Sequence, residues 1–149
     1  MQITFRKFTE SDRADYLRMA NSFYSPPAVL HEPDESVFNA NFDEAIKPDG
    51  KLLAYIVEAD GKIAGFGLSS FKFETEVGGT TLWLEELYIE PSYRGKGIGG
   101  KYFDFMKNEY SDKVKRIRLE VGAENFGAIR LYERNGFEFL DYRQMIIDY

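Results

Sequence analysis

A chain of 149 residues that is 44% apolar and 16% aromatic suits one domain around a single packed core, not a disordered polymer. Its formal net charge of −6 speaks against a general nucleic-acid binder, whose phosphate-facing surface is basic. It has no cysteine, hence no disulfide framework or thiol nucleophile, and no apolar run of membrane-spanning length or signal-like N-terminus; a cytoplasmic protein without membrane partners is expected.

Residues 3–8 alternate apolar and polar side chains and predict a strand. Thr9 with Asp12 three positions on reads as a helix N-cap with an acid behind it. The helix it opens carries Tyr16, Leu17, Met19, Ala20 and Phe23 at spacings that bury one face, and Ser25-Pro26-Pro27 stops it. Residues 28–49 form a second helical region, best defined over 35–46 by Val37, Phe38, Phe42 and Ile46 and closed by Pro48-Asp49-Gly50. From 32 to 49 the acids Glu32, Asp34, Glu35, Asp43, Glu44 and Asp49 face Lys47 alone.

Residues 52–59, Asp60-Gly61 and residues 62–73 predict a β-hairpin, Asp-Gly being a favoured two-residue turn. Gly65 and Gly67 inside its second arm mark a bulge, a close approach or a simple kink. Glu76-Val77-Gly78-Gly79 turns into a strand over 82–90, and Pro91 opens the turn after it. A basic glycine loop follows, Arg94-Gly95-Lys96-Gly97-Ile98-Gly99-Gly100, and feeds a helix. Ile98, Tyr102, Phe105 and Met106 give that helix a core face, and Ser111-Asp112 ends it. Ile117, Leu119 and Val121 alternate in a further strand. Gly122 to Asn125 then leads to a short helix over 126–134, which Asn135-Gly136 closes. Residues 139–148 supply the last strand.

The glycine loop is where a phosphorylated ligand would sit. Glycines let backbone N–H groups approach closely, first-turn amides lack intrahelical partners, and the helix dipole favours an anion. Arg94, Lys96 and Lys101 add cations in an acidic chain. Two templates fit. Gly95-x-Gly97-x-x-Gly100, with Glu120 twenty residues on, matches the dinucleotide pattern and its ribose-binding acid. Three features count against it: Pro91-Ser92-Tyr93-Arg94 separates strand from loop, Glu85-Glu86 suits no strand buried on both faces, and 49 residues after Gly100 are too few for the remaining βα units. A Walker loop is excluded because no Gly-Lys-Ser/Thr occurs.

The second template is Arg/Gln-x-x-Gly-x-Gly/Ala after a strand, present as Arg94-Gly95-Lys96-Gly97-Ile98-Gly99. With it the chain resembles the GNAT superfamily of acyl-CoA-dependent N-acyltransferases. Asn125, Ala128, Leu131-Tyr132 and Asn135-Gly136-Phe137 are similar to that family's second signature, and the order of elements matches over nearly the whole chain. The resemblance implies one N-acetyltransferase domain over residues 1–149, of α/β (α+β) class. Its mixed, mostly antiparallel sheet would have six to seven strands and about four flanking helices. It also implies acetyl-CoA as acyl donor and no metal. Amides from Gly95 to Gly100 would hold the pyrophosphate, with Arg94, Lys96 and Ile98 in the same loop. Backbone groups of Leu87, Tyr88 and Ile89 would bond the pantetheine, and Asn125 and Ala128 would lie beside the cofactor.

Amine acylation needs a proton acceptor, because an alkylammonium with a pKa near 10 must lose a proton before its nitrogen attacks. Glu85 and Glu86 sit midway along the strand over 82–90, where neither turn nor terminus explains them. A regular strand sends neighbours to opposite faces, so one would reach the cleft; a bulge, common at this strand in GNAT-like proteins, would bring both. The other reading makes them exposed edge charges. Tyr132 matches the tyrosine that many family members place near the sulfur as general acid, or else is a packed helix aromatic. In GNAT-like proteins the segment after the first strand helps wall the acceptor pocket. Its acids are then either a rim attracting an amine or a solvated helix face, with Tyr24, His31 and Phe38 as pocket aromatics. The expected acceptor is a primary amine of a small molecule (polyamine-like, aminoglycoside or amino acid) or a peptide, and the spacing Leu84-Glu85-Glu86-Leu87-Tyr88 looks like the diamine and polyamine branch. A non-catalytic acyl-CoA-binding module and a nicotinamide oxidoreductase stay as alternatives. The family also allows a homodimer, for which the sequence carries no feature.

Overall fold

The computed structural model describes residues 1–24 and 34–149; the Ser25-Pro26-Pro27 stop, His31 and Glu32 lie outside the described residues. Strand β1 (Ile3–Lys7) leads to Thr9, whose N–H donates to the Asp12 carboxylate at 2.7 Å. Arg6 grips the same buried carboxylate with two nitrogens at 2.8 Å each, a bidentate pairing that offsets the loss of water. One 3-10 turn (Glu10–Asp12) precedes helix α1 (Arg13–Phe23). Helix α2 (Glu35–Ile46) is capped by Asp34, which accepts from the Ser36 N–H at 2.9 Å. Then come β2 (Leu52–Ala59), β3 (Lys62–Glu74) and β4 (Gly79–Ile89). Helix α3 (Ile98–Tyr110), β5 (Arg116–Leu119) and α4 (Phe126–Arg134) complete the order. Among the described residues no helix is long and apolar enough to cross a membrane.

The strands lie side by side in chain order, antiparallel from β1 to β4 and parallel between β4 and β5. A parallel neighbour needs a crossover, and α3 supplies it. An antiparallel run of this kind is not the doubly wound sheet that the dinucleotide template requires. Alternation along β2 makes two cores: Ala54 and Ile56 face α1 and α2 with Tyr16, Met19, Phe38, Phe42 and Phe66, while Tyr55 and Val57 face α3 with Tyr102, Phe103 and Met106.

Among the described residues the sheet has five strands, not the six to seven that the family resemblance implied. Residues 139–148, expected as the last strand, join no described strand and leave Phe139, Tyr142, Met145 and Ile147 exposed; the Gln144 side-chain amide donates to the Glu120 carboxylate. Their apolar residues come in pairs and triplets (Phe139-Leu140, Met145-Ile146-Ile147), so no strict alternation fixes a register. β5 also stops at Leu119, short of Val121. Two acids of α2 are held in ion pairs, Asp43 with Arg13 of α1 at 2.7 Å and Glu44 with Lys47 at 2.8 Å.

Gly67 marks a close approach. A Cβ there would lie 2.2 Å from the Tyr102 hydroxyl oxygen and 2.4 Å from Cζ of the same ring, so glycine lets α3 settle against β3. Overpacking at such a site costs about 1–3 kcal/mol. Gly67→Ala should therefore lower the thermal midpoint by about 3–10 °C, and Tyr102→Phe in the same chain should recover part of the loss. An unchanged midpoint in calorimetry would contradict the contact.

Candidate active site

The site begins with a register shift. Across the β3–β4 ladder Leu68 pairs with Glu86 and Ser69 with Leu84, which leaves Glu85 as the extra residue of a β-bulge. The shift reverses the strand's parity. Leu82 and Leu84 belong to the α3-side core, yet beyond the bulge it is Leu87 and Ile89 that pack there, and Tyr88 joins the α1/α2 core. Glu85 and Glu86 therefore leave the strand on the same face, the one covered by α1 and α2. The bulge, not the regular alternation, decides where these acids go.

Their surroundings differ. Glu86 is buried; its Oε1 accepts the Tyr24 hydroxyl at 2.5 Å, and its Oε2 has no hydrogen-bond partner among the described residues. Burial pushes its carboxyl up to about 7; the donated hydrogen bond from Tyr24 works against that, and the neighbouring Glu85 adds to it. Glu85 is exposed and accepts the Ser70 hydroxyl at 2.6 Å. It lines an open recess of about 310 Å³ with Ser70, Lys72, Trp83 and Glu120. Lys72 and Arg118 lie over the Trp83 ring, at 5.5 and 4.6 Å from its centroid.

The bulge also marks where β4 and β5 part. The parallel ladder covers Thr81 to Leu84 of β4 and ends at Leu119 of β5. From Glu85 onward β4 is paired with β3 and with no other described strand. The Glu90 N–H donates to the Ala64 carbonyl of β3, so by the ladder's alternation Tyr88 also turns its backbone groups to β3, while Leu87 and Ile89 turn theirs to the open edge beside the site. One of them is already engaged: Arg94 Nε donates to the Ile89 carbonyl at 2.7 Å.

The chain then reaches the glycine loop. Gly95 and Gly97 hold positive φ, 72° and 76°, a conformation that strains other residues. Gly97 is the N-cap of α3, and the first intrahelical bond runs from the Lys101 N–H to its carbonyl. The amides of Ile98, Gly99 and Gly100 are thus left without intrahelical acceptors. Arg94 and Lys96 fold back on the loop, Lys96 Nζ donating to the Ser92 carbonyl at 2.8 Å. Each bends over an aromatic ring, Tyr88 for Arg94 and Tyr93 for Lys96.

On α4, Asn125 caps the helix by accepting from the Ala128 N–H at 3.3 Å. Tyr132 packs edge-on against Phe103 and Phe137, with ring centroids 5.6 and 6.0 Å away, so it sits in the α3-side core. Burial raises its hydroxyl's proton affinity. The structure thus brings Glu85 and Glu86 together at the point where β4 leaves β5, with the loop at the strand's far end. It draws no hydrogen bond or ring contact between Tyr132 and either acid. Sequence reasoning missed two partners, Ser70 of Glu85 and Tyr24 of Glu86. Tyr24 is 62 residues from Glu86, and no local spacing announces the pair.

Residues 14–137 match the sequence model of the acetyltransferase (GNAT) family. The chain is 32% identical over 84 residues to the spermine/spermidine N(1)-acetyltransferase of Bacillus subtilis (strain 168), a match covering 54% of this chain and 55% of that protein. It therefore spans about half the length of that relative. It is 30% identical over 149 residues to the thialysine N-epsilon-acetyltransferase of Mus musculus, covering 91% of this chain and 84% of the mouse protein. Among solved structures, a possible acetyltransferase from Clostridium difficile 630 superposes with a TM-score of 0.84 at 20% identity, over 100% of this chain and 99% of that one.

The raised proton affinity of Glu86 has a consequence for stability. The folded chain binds this proton more tightly than the unfolded one, so the contribution is favourable at low pH and is lost as pH rises from about 4 through about 7. Glu86→Gln removes the buried charge. Urea unfolding should find it on the order of 2 kcal/mol more stable than the parent at about pH 8, and equal to it at about pH 4. Stability curves that stay parallel across that range would contradict the burial of this carboxyl.

Proposed function

Because this chain belongs to the GNAT acetyltransferase family, we propose that it moves the acetyl group of acetyl-CoA directly to a primary amine, with a polyamine-like small molecule as the favoured acceptor. The observation that carries this reading is the β4 bulge, which sets two carboxylates on one face beside an unpaired strand edge that runs to the glycine loop. The names of the spermine/spermidine and thialysine relatives support a small cationic acceptor. Aminoglycosides, other amino acids and peptides are the further acceptor classes to screen.

In this reading the free amides of Ile98, Gly99 and Gly100 hold the diphosphate, with the helix dipole behind them. The open edge of β4, at Leu87 and the Ile89 N–H, bonds the pantetheine amides, while the Ile89 carbonyl stays with Arg94 and Tyr88, whose backbone faces β3, offers only its ring to Arg94. Asn125 and Ala128 position the start of α4 beside the cofactor. Glu85, exposed and charged, attracts and orients the ammonium. Glu86, with a proton affinity matched to neutral pH, accepts the proton directly or through water. The nitrogen lone pair attacks the thioester carbon, the C–S bond breaks, and the thiolate takes a proton from Tyr132, whose burial keeps its hydroxyl protonated. The second proton that the nitrogen sheds as the amide forms returns the phenolate to the phenol through solvent, and the proton on Glu86 is released. Transfer within one ternary complex needs no acyl-enzyme, so orientation is a main source of rate.

The two acids should separate in kinetics with a polyamine acceptor and a thiol-release readout. Glu85→Gln should raise KM about tenfold with kcat little changed, as expected for a lost ion pair to substrate. Glu86→Gln should lower kcat about 10²-fold or more and abolish the acidic limb near pH 7. Tyr132→Phe should lower kcat by about 10–100-fold with KM unchanged. If all three variants released thiol at the parent's rate, the measured activity would owe nothing to these groups, as the alternative of a non-catalytic acyl-CoA-binding module requires.

A further inference from the structure

Among the described residues the hydroxyl of Tyr24 is the one donor that reaches the buried acid, and its placement is constrained from several sides. Tyr24 is the C-cap of α1, with its N–H donating to the Ala20 carbonyl at 3.0 Å. Its ring is wedged between Phe23 at 5.2 Å and Phe38 of α2 at 5.1 Å, centroid to centroid. From there the hydroxyl crosses to β4 and donates to Glu86 Oε1 at 2.5 Å, while Oε2 is left without a partner among the described residues. A carboxylate with one oxygen tied and the other free has one direction in which to take a proton. We infer that Tyr24 is a positioning residue for proton removal, holding Glu86 by Oε1 so that Oε2 alone receives the proton of the acceptor amine, directly or through a water. This rests on the reading of Glu86 as proton acceptor and adds a residue to it.

The electrostatics agree with the geometry. Among the described residues the titratable groups facing Glu86 are Glu85 on its own strand, Tyr16 of α1 and Tyr24 at the C-cap of α1. β3 sets the apolar Leu68 across from it, and α2 contributes Phe38 behind Tyr24. Burial and Glu85 both favour the protonated acid, and the Tyr24 hydrogen bond is what opposes them. Without the phenol, Glu86 would hold its proton at neutral pH and serve poorly as a base. With it, the acid is poised near the pH at which it must act.

The test is Tyr24→Phe, which keeps the ring and its two aromatic contacts and removes one oxygen; an unchanged thermal midpoint confirms that the fold is intact. A hydrogen bond to an ionised group is strong enough to move a titration by about one pH unit. The Glu86 carboxyl, followed by carbon-13 NMR in the protein without substrate, should therefore titrate about one unit higher in the variant. The acidic limb of kcat/KM should move up by the same amount, giving roughly tenfold lower activity near pH 6 and a return toward parent activity near pH 9. A Glu86 titration and rate profile identical to the parent's, or a loss of activity equal at every pH, would overturn the assignment of Tyr24. Failure of the underlying reading looks different: Glu86→Gln would then keep both its rate and its acidic limb, whatever Tyr24→Phe does.

Discussion

One extra residue in β4 governs the geometry of this site. Without the bulge at Glu85, strand alternation would send Glu85 and Glu86 to opposite faces of the sheet. The register shift between Leu68 and Ser69 on the facing strand turns them to the same side. At the same place the parallel ladder to β5 ends at Leu84, so the strand gives up hydrogen bonds on one edge where it gains two acids on one face. Side-chain direction and backbone availability are thus set by a single irregularity, flanked on both sides by regular antiparallel pairing to β3.

The surrounding fold keeps that irregularity in place. The α1/α2 core, packed through Tyr16, Phe38, Phe42 and Phe66, closes over Glu86 and raises its proton affinity. The α3 core fixes the other side, and Gly67 allows Tyr102 to come close enough to do so. Holding a carboxyl without water and with one oxygen unpartnered is unfavourable for folding. A buried acid of this kind is tolerated where its altered proton affinity has a use. The Arg6–Asp12 pair makes the contrast: Asp12 is also buried, but the bidentate arginine and two groups of Thr9 satisfy it, and its proton affinity falls instead of rising.

Much of the architecture was legible in the chain itself. The hairpin at Asp60-Gly61, the helix cap at Thr9 and Asp12, and the glycine-led start of α3 are local signals, and they appear as expected. The two sequence signatures were enough to indicate the GNAT family. What lay beyond reach was non-local. Alternation could not say whether β4 carried a bulge, because the shift is defined by its partner strand. Tyr24 could not be matched to Glu86, since the pair closes a span of 62 residues that only packing of α1 onto the sheet brings together. The expected strand over 139–148 failed for the opposite reason: its composition favours a strand, but clustered apolar residues specify no register, and strand propensity depends on a partner.

The most direct measurement is a crystal structure with CoA and a polyamine-like amine bound together. The account predicts the diphosphate on the amides of Ile98, Gly99 and Gly100, the pantetheine along the free edge of β4 at Leu87 and Ile89, and the amine nitrogen between the sulfur and the pair Glu85–Glu86. A diphosphate bound away from the α3 N-terminus, or an amine approaching the sulfur from the face opposite both acids, would contradict it.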